Sequence, residues 1–372
     1  MRLLMLNWRD PWHPKAGGAE LLTLRILQHL SRENVSAEWF SARYPGAPVE
    51  ELRDGIRFVR GGSQATTHLA AWRRYRGTSS FDVVVDQINT IPFYAHRYVR
   101  VPAVALMHQL AQEVWRYEFS RPLGGLGLVA ERYYLRPYRH EHIMTVSRSS
   151  KASMRSIGLE GPIYVLPAAV DTAALDAVPK KADPRDIVTL GRITPSKRPD
   201  HAIRAAALLS ARGWEGRLIM IGSGDERFVA RMRNLGSSLL GSRYVMTGRV
   251  SDDRRAALLR DASCIWMTSV REGWGLAITE AARSGTPAVV YRVGGLVDSV
   301  DDGKTGYVVD QDPLALANAT ARLFANDYAA FAERALEVSR AYSFEATAEH
   351  FLTAVNARIE ASVATRRTTS GR

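Results

Sequence analysis

Short apolar segments alternate with helical segments twice along this chain, and this alternation constrains the fold more than any other feature. Strand candidates of the first half lie near residues 2–7, 37–40, 56–59, 83–86, 101–107 and 143–146. Those of the second half lie near residues 187–190, 218–221, 244–247, 264–267 and 288–291. Helical stretches between strands are typical of a mainly parallel sheet with helices on both faces. The sequence therefore predicts two doubly wound α/β domains.

A segment without strong periodicity separates the two alternations. Residues 168–186 include Pro179 and Pro184 and follow neither the helical nor the strand period. We therefore predict a first domain at residues 1–170 and a second domain at residues 171–343. A helical stretch at 344–360 follows, and residues 361–372, rich in Ser, Thr and Arg, are predicted to form a disordered tail.

The stretch from Glu272 to Glu280 reads EGWGLAITE and stands between a predicted strand and a predicted helix. Gly273 and Gly275 let the backbone approach a ligand near a helix N-terminus, which favours an anion. The two carboxylates offer acceptor oxygens that suit the hydroxyls of a sugar or ribose. Ligands of open α/β sheets bind at the carboxyl ends of the strands. The stretch indicates a nucleotide-sugar site, and the alternative is a glycine-rich turn with two solvated glutamates.

Two cations follow the first strand of the second alternation, in the sequence GRITPSKRP at residues 191–199. Arg192 offers a planar, bidentate phosphate clamp, and Lys197 is a mobile point charge. Together they can neutralise a diphosphate as it leaves. The alternative interpretation is a solvated basic turn.

Two further candidates lie in the first half. Gly17 and Gly18 stand at the first strand–helix turn, where backbone amides can admit a phosphate or a sugar. Taken alone, plain turn chemistry explains such a pair better. His108 follows the strand that ends at Met107, and a lone histidine in such a place is more often structural than chemical.

These motifs resemble those of the large family 4 of retaining glycosyltransferases, which have the GT-B fold. The stretch Glu272–Glu280 is similar to the family's E-x7-E signature, residues 191–197 to its G-R-x-x-x-x-K pattern, and residues 17–20 to its G-G-x-E. The resemblance spans nearly the whole chain. It implies two Rossmann-like domains facing across a cleft, with the acceptor on the first and the nucleotide-sugar on the second. It also implies a terminal helix that completes the first domain.

The resemblance also implies roles for individual residues. The catalytic group comprises Arg192, Lys197, Glu272 and His108. The donor contacts comprise Gly17, Gly18, Gly222, Gly224, Val250, Gly273, Trp274, Gly275, Leu276 and Glu280, which holds the ribose. Two positions depart from the family pattern: Gln109 stands where Asp is frequent, and residues 166–171 read LPAAVD where P-N-G-V-D is commoner.

The activity that the resemblance implies is transfer of a hexose-type sugar from a UDP- or GDP-linked donor to an acceptor hydroxyl, with retained configuration. Glycolipid or polysaccharide biosynthesis is the expected setting. The nucleotide-sugar is a co-substrate, so no cofactor is expected, and no metal either, because two cations would occupy the diphosphate position. The alternatives are another GT-B enzyme, such as a sugar-nucleotide epimerase or a phosphorylase, and a non-catalytic sugar-nucleotide-binding paralogue.

Two rival enzyme classes lack their motifs. A Rossmann dehydrogenase needs G-x-G-x-x-G, but Gly222-x-Gly224 continues to Arg227. A metal-dependent GT-A transferase needs a D-x-D site, and Asp310-Gln311-Asp312 has the letters. However, Pro313 follows Asp312, and an Asp before a Pro at the first helical position is typical of a helix N-cap.

Positive charge is concentrated in the first half of the chain. The formal net charge is +12, and residues 60–155 hold 14 Lys and Arg but only six Asp and Glu, interleaved with aromatic residues. This pattern suits an anionic membrane face or an anionic acceptor, either a glycan or a lipid-linked one. No nucleic-acid-binding signature accompanies it, and a solvated basic surface is the alternative.

The remaining composition indicates the compartment. The single cysteine, Cys264, lies in a predicted strand, which excludes a disulfide framework and fits a reducing compartment. The apolar start at residues 1–6 is too short for a signal peptide. We expect a cytoplasmic location, with peripheral attachment at the inner face of the membrane if the basic surface binds lipid.

Overall fold

The structure is a computed structural model that describes residues 1–181 and 185–370, and the chain divides into two units. Unit 1 comprises Met1–Leu110, Val129–Ala169 and Ser343–Arg372. Unit 2 comprises Ala111–Leu128 and Val170–Tyr342. Each unit is built on its own largely parallel sheet, so the predicted α/β class with two Rossmann-like domains is confirmed.

Within the described residues, the sheet of unit 1 has eight strands. They are β1 (Arg2–Leu6), β2 (Ser36–Ser41), β3 (Glu50–Arg53), β4 (Ile56–Arg60), β5 (Val83–Gln87), β6 (Ala103–Leu106), β7 (Ile143–Thr145) and β8 (Ile163–Val165). Their order is β3-β4-β2-β1-β5-β6-β7-β8, and only the β3–β4 pair is antiparallel. The central strands are buried apolar runs, as expected for parallel strands covered on both faces. The strand order reverses between β1 and β5.

Counted over the described residues, six α-helices accompany this sheet. Some of them flank it, two lie in the segment between β6 and β7, and one ends the chain. They are α1 (Gly18–Ser31), α2 (Thr67–Tyr75), α3 (Val114–Glu118), α4 (Arg121–Tyr134), α5 (Arg148–Ser156) and α13 (Phe344–Ser370). Helix α3 belongs to unit 2, and the division between the units falls inside α4. Helix α13 belongs to unit 1, where Phe351, Ala354 and Val355 are fully buried.

The sheet of unit 2 has six strands in the part of the chain that the structure describes. They are β9 (Ile187–Leu190), β10 (Leu218–Ile221), β11 (Tyr244–Gly248), β12 (Cys264–Met267), β13 (Ala288–Tyr291) and β14 (Gly306–Val309). All pairs are parallel, in the order β11-β10-β9-β12-β13-β14. This is the dinucleotide-fold order, which reverses between the first and fourth strands of the unit.

Helices cover both faces of this second sheet. They are α6 (Pro199–Ser210), α7 (Glu226–Leu240), α8 (Asp252–Asp261), α9 (Leu276–Ala282), α10 (Leu296–Ser299), α11 (Pro313–Ala325) and α12 (Tyr328–Ser339). Strands and helices bury one apolar core that includes the single cysteine.

Two features of the structure correct the sequence-based expectations. Helix α13 continues to Ser370, so residues 361–370 are helical where a disordered tail was predicted; no Gly or Pro interrupts them. Residues 371–372 of that tail, and residues 182–184 of the predicted linker, lie outside the described residues. Residues 111–128 group with unit 2 rather than with the first domain, because Glu113 pairs with Arg271 at 2.9 Å and Glu118 accepts a hydrogen bond from the Ser196 amide at 3.2 Å.

Candidate active site

A pocket opens in unit 2 where the strand order reverses. It is lined by the residues that end β9 and β12 and by the loops that follow them, including Arg192, Lys197 and Ser269. Strands β9 and β12 are parallel neighbours, with Ile265 opposite Val188, so their carboxyl ends bring these loops together. The reversal point is where ligands of doubly wound sheets bind.

Two of the predicted catalytic residues form an ion pair at this pocket. The Lys197 ammonium contacts the Glu272 carboxylate, and Ser269 Oγ donates to Glu272 Oε1 at 2.6 Å. Both side chains are largely but not completely buried. Arg192, by contrast, is exposed. Glu272 therefore orients Lys197 and compensates its charge, while Arg192 lines the pocket with an exposed side chain.

Hydrogen bonds fasten the two loops of the pocket to each other. The single hydroxyl proton of Thr268 Oγ1 is shared between the carbonyl of Lys197 at 2.8 Å and that of Arg198 at 2.9 Å. The Val270 amide donates to the Ser196 carbonyl at 2.9 Å. Because these bonds join Thr268 and Val270 to the backbone of residues 196–198, the cationic loop keeps its place beside the loop that carries Glu272.

Glu280 lies on α9 and pairs with a residue that the sequence analysis did not single out. Arg255 of α8 approaches Glu280 Oε2 at 3.0 Å. Burial raises the pKa of Glu280, and the nearby Arg255 offsets this only in part. Helix α9 begins after Gly275, which has φ of +100° and therefore a backbone conformation that favours glycine. Gly275 thus turns the chain so that Glu272 precedes the helix and Glu280 lies within it.

The side chain of Trp274 is engaged within unit 2. Its ring is buried, Nε1 donates to Thr279 Oγ1 at 2.9 Å, and the ring meets Tyr342 edge-on with centroids 5.1 Å apart. A donor contact from Trp274 would therefore come from its backbone. Gly273 precedes Trp274 and Leu276 stands two positions after it, and both are partly buried.

Three glycine-containing loops meet beside the pocket, at the carboxyl ends of β9, β10 and β11. The Gly191 amide donates to Ile221 O at 3.0 Å, and the Gly222 amide donates to Gly248 O at 2.9 Å. A Cβ on Gly222 would lie 1.8 Å from the Gly191 carbonyl oxygen, so no larger residue fits there.

The other predicted donor contacts of this region lie on the same loops. Gly224 forms an isolated parallel bridge with Ile193, so the loop after β10 lies directly beside the loop that carries Arg192. Val250 follows β11 and packs partly buried against the core of unit 2.

The predicted site residues of unit 1 gather at its own reversal point. Glu20 is fully buried in the first turn of α1 and accepts hydrogen bonds from the Gly17 amide at 2.7 Å and from Asn89 Nδ2 at 2.7 Å. Arg9 pairs with the same carboxylate at 2.9 Å. The Gly17 amide is therefore already bonded to Glu20. The Gly18 amide lies in the first turn of α1, where N–H groups have no partner within the helix.

His108 lies near this cluster, after β6. Its Nε2 is 3.1 Å from Nε2 of Gln87, the last residue of β5. The backbone carbonyl of His108 accepts a hydrogen bond from Ser150 Oγ at 3.1 Å. Burial lowers the pKa of His108 to about 4, with a smaller contribution from Arg9. The imidazole is therefore neutral at pH 7 and suited to hydrogen bonding rather than to charge compensation.

The predicted N-cap at Asp312 is confirmed. Its carboxylate accepts a hydrogen bond from the Ala315 amide at 2.9 Å, and Pro313 is the first residue of α11. Among the residues that the structure describes, no group of three His, Cys, Asp or Glu is arranged to hold a metal ion. Within the same residues, none of the helices has both the length and the apolar character needed to cross a bilayer.

Sequence reasoning missed the partners that hold the predicted residues. Arg255, Ser269, Gln87 and Asn89 contact Glu280, Glu272, His108 and Glu20 respectively. Asn89 and Glu20 are 69 positions apart. Of these partners, Gln87 and Ser269 carried a positional signal, because each closely follows a strand predicted from the sequence, at residues 83–86 and 264–267.

Comparison with known proteins agrees with this architecture. A family model described as "Glycosyltransferase Family 4" matches residues 16–174, and one described as "Glycosyl transferases group 1" matches residues 171–339. Among solved structures, a sucrose-phosphate synthase from Thermosynechococcus elongatus is similar, with a TM-score of 0.75 at 18% identity and full coverage of both chains. An Anabaena protein in complex with UDP and glucose has a TM-score of 0.67 at 16% identity, covering 96% of this chain and 100% of that one.

Curated relatives carry a glycosyltransferase name as well. A D-inositol 3-phosphate glycosyltransferase from Nocardioides is 35% identical over 191 residues, which are 45% of this chain and 41% of the relative. The enzyme of the same name from Streptomyces scabiei is 28% identical over 351 residues, covering 83% of this chain and 78% of the relative. Since the two family models together span residues 16–339 and the fold agrees, the chain belongs to the family 4 glycosyltransferases and has the GT-B fold.

Proposed function

We propose that the protein transfers a hexose-type sugar from a UDP- or GDP-linked donor to an acceptor hydroxyl, with retained anomeric configuration. The observation that carries the proposal is the pocket at the β9–β12 reversal, which places Arg192 and the Lys197–Glu272 pair together. Two cations at a carboxyl edge suit a diphosphate. The Anabaena protein of the same fold was solved with UDP and glucose, which supports a nucleotide-sugar.

The proposed roles follow from the contacts. Arg192 and Lys197 stabilise the negative charge that develops on the leaving diphosphate. Glu272 accepts hydrogen bonds from the transferred sugar and orients Lys197. Glu280 accepts hydrogen bonds from the ribose. The backbone from Gly273 to Leu276, and the loops holding Gly222, Gly224 and Val250, approach the donor without side-chain chemistry.

In the proposed reaction the bond between the sugar C1 and the diphosphate oxygen breaks while the acceptor oxygen bonds to C1 on the same face. The acceptor proton passes to a phosphate oxygen of the leaving diphosphate. Gly17, Gly18 and the neutral His108 of unit 1 serve the sugar and the acceptor through hydrogen bonds. The protein's own cations stabilise the leaving group, so the proposal includes no metal and no cofactor.

The proposed acceptor is an anionic glycan or a lipid-linked molecule, in glycolipid or polysaccharide biosynthesis. The excess of Lys and Arg between residues 60 and 155 supports an anionic acceptor. The relatives' name, D-inositol 3-phosphate glycosyltransferase, points to a phosphorylated acceptor for those enzymes. A cytoplasmic protein attached peripherally to the inner membrane face would have access to such molecules.

Thermal unfolding in the presence of a panel of nucleotides and nucleotide-sugars tests the proposal. A ligand that binds the native state raises the unfolding temperature by mass action. We expect stabilisation by one nucleoside diphosphate and by its hexose conjugates. Release of nucleoside diphosphate should then depend on the acceptor; conversion of the donor without any acceptor would favour an epimerase, and binding without turnover would favour a non-catalytic paralogue.

A further inference from the structure

Helix α4 presents large apolar side chains to solvent. Leu123, Leu126, Val129 and Tyr133 are 59%, 65%, 53% and 55% exposed. Their spacing of three, three and four residues places them along one face of the helix. A helix on the surface of a soluble protein normally turns polar residues outward. The outward face of α4 therefore has the opposite character from the expected one.

The other face of α4 is already packed. Gly124 and Gly127 lie against Trp115 of α3; a Cβ on Gly127 would be 2.6 Å from the indole ring. Glu131 on the same side is buried. The exposed residues therefore do not belong to the face of α4 that packs against the protein, because a different face of the helix makes those contacts.

The apolar surface extends beyond α4. Tyr117 at the end of α3 and Phe119 in the following turn are exposed as well. Sixteen large apolar residues are exposed among those whose side chains the structure describes, and six of them lie between positions 117 and 133. A concentration of this kind marks an interaction surface rather than scattered surface residues. We refer to Tyr117, Phe119, Leu123, Leu126, Val129 and Tyr133 as the α4 surface.

The charges of this segment are arranged in a consistent way. Arg116, Arg132 and Arg136 are exposed, and the Arg136 guanidinium lies over the Tyr133 ring at 4.3 Å. The exposed acidic residues of the segment are engaged within unit 2: Glu113 pairs with Arg271, and Glu118 accepts from the Ser196 amide. Exposed arginines therefore accompany the apolar face, whereas Glu113 and Glu118 are paired with other residues of unit 2.

We propose that the α4 surface docks onto an anionic lipid bilayer, with its apolar side chains in the interface and its arginines at the headgroups. An apolar face with aromatic residues and flanking arginines is typical of helices that lie in the plane of a membrane interface. A second copy of the chain fits less well, because a symmetric contact would bring these arginines near their own equivalents. This surface would bring the protein to a lipid-linked acceptor, and that part of the inference rests on the proposed function. The docking itself does not.

Sedimentation with lipid vesicles tests the docking without any sugar transfer. At low salt, the wild-type protein should pellet with vesicles containing phosphatidylglycerol and remain in the supernatant with pure phosphatidylcholine. The double variant L126Q/V129Q should lower the partition coefficient at least about tenfold, since two exposed apolar side chains no longer enter the interface. Glutamine adds no charge, so the loss would report insertion rather than repulsion.

The matched control is L69Q/L239Q, which changes two leucines that are exposed elsewhere on the chain. It should pellet like wild type. Equal binding of L126Q/V129Q and wild type, or no binding of wild type to anionic vesicles, would overturn the proposal. A wild-type dimer that L126Q/V129Q converts to monomers, without vesicle binding, would identify the surface as a contact between copies and overturn it too.

Failure of this inference can be told apart from failure of the proposed function. L126Q/V129Q should bind the stabilising nucleoside diphosphate as tightly as wild type, because the α4 surface holds no proposed donor contact. If wild type binds vesicles but no nucleotide, the docking stands and the transferase proposal fails. If it binds nucleotide but no anionic vesicle, the transferase proposal stands and the docking fails.

Discussion

Arg192 and Lys197 are neighbours in one pocket but differ in their surroundings. Lys197 is held by Glu272, whereas Arg192 lines the same pocket with an exposed side chain. In the proposed reaction, Arg192 is free to turn toward the diphosphate, whereas Lys197 would share its ammonium between Glu272 and the phosphate. Under the proposed mechanism both charges would matter most in the transition state, when the diphosphate has gained negative charge.

Replacing either cation should therefore slow turnover more than it weakens substrate binding. We expect Arg192→Ala and Lys197→Ala to lower kcat by an amount corresponding to about 2.7–4 kcal/mol, with a smaller change in KM. Steady-state kinetics with the identified donor measures both constants. Arg233→Ala, at an exposed position of α7, is the control. An unchanged kcat in both variants would show that residues 191–199 are only a solvated turn.

Glu280 offers a direct test of ribose binding. Glu280→Gln keeps the shape but replaces a charged acceptor by a neutral one, which should weaken nucleoside diphosphate binding by about 1.5–3 kcal/mol. Calorimetry with the free nucleotide gives this difference. Glu333→Gln, exposed on α12, should have no effect. Equal affinity of Glu280→Gln and wild type would place the ribose elsewhere.

His108 should make stability depend on pH in a defined direction. Burial lowers its pKa from 6.5 to about 4, so between these values the unfolded chain binds the proton and the native state does not. Native stability attributable to His108 is therefore present above about pH 6.5 and is lost as pH falls toward 4. His108→Gln should lose less stability than wild type between pH 7 and pH 4.5 in denaturant titrations. The exposed His140→Gln should follow wild type, and a parallel loss in His108→Gln would contradict the assignment.

At the scale of elements, the N-cap of α11 separates two interpretations of Asp310-Gln311-Asp312. If Asp312 only caps the helix, Asp312→Ala should lower the free energy of unfolding by about 0.5–2 kcal/mol. It should leave sugar transfer unchanged, with or without EDTA. Asp312→Asn, which retains capping ability, should restore most of the stability. Activity that is lost in EDTA and restored by Mg²⁺ or Mn²⁺ would revive the metal-dependent interpretation.

The central strands of both sheets were predictable from their apolar runs, whereas the edge strands β3, β8 and β14 lie outside the segments predicted as strands. The central strands of both sheets are apolar runs such as Val83–Val85 and Cys264–Met267, and the prediction placed them within a few residues. Strand β3, by contrast, reads EELR and lies at the sheet edge. It forms only because Asp54 and Gly55, both with positive φ, turn the chain back onto β4. The spacing of apolar residues therefore cannot predict such an edge strand.

The same limit applies to the site. Positions at the carboxyl ends of strands follow from the alternation, so Arg192, Glu272 and His108 could be proposed from sequence. Their partners could not, because the pairing of Arg255 with Glu280 depends on how α8 packs beside α9. Sequence spacing fixes neighbours within an element, whereas tertiary packing fixes neighbours between elements.

At the scale of the whole molecule, the same arrangement occurs in both sheets. In each unit the strand order reverses beside the first strand, and polar residues gather at that point: Glu20 with Asn89 in unit 1, and Lys197 with Glu272 in unit 2. The carboxyl ends of two strands diverge there, which leaves room for a ligand. The same topological rule thus accounts for the position of both polar clusters.

Helix α13 provides a test of whether the units have separate stabilities. It packs against α1, β6, β7 and β8 of unit 1, and Thr347 Oγ1 donates to Pro167 O at 2.8 Å. Phe351→Ala removes a fully buried ring, which should cost about 3–5 kcal/mol. Hydrogen exchange should then show lost protection in peptides from β1 and β6, while peptides from β9 and β12 stay protected.

Nucleotide affinity gives the complementary measurement. Because the proposed nucleotide contacts lie on unit 2, the native fraction of Phe351→Ala should bind the stabilising nucleoside diphosphate with unchanged Kd in calorimetry. Thr353→Ala, at an exposed position of the same helix, should match wild type in both experiments. If protection in β9 and β12 falls together with that in β1 and β6, the two units unfold as one cooperative structure. In that case α13 stabilises the donor site as well as the unit to which it belongs.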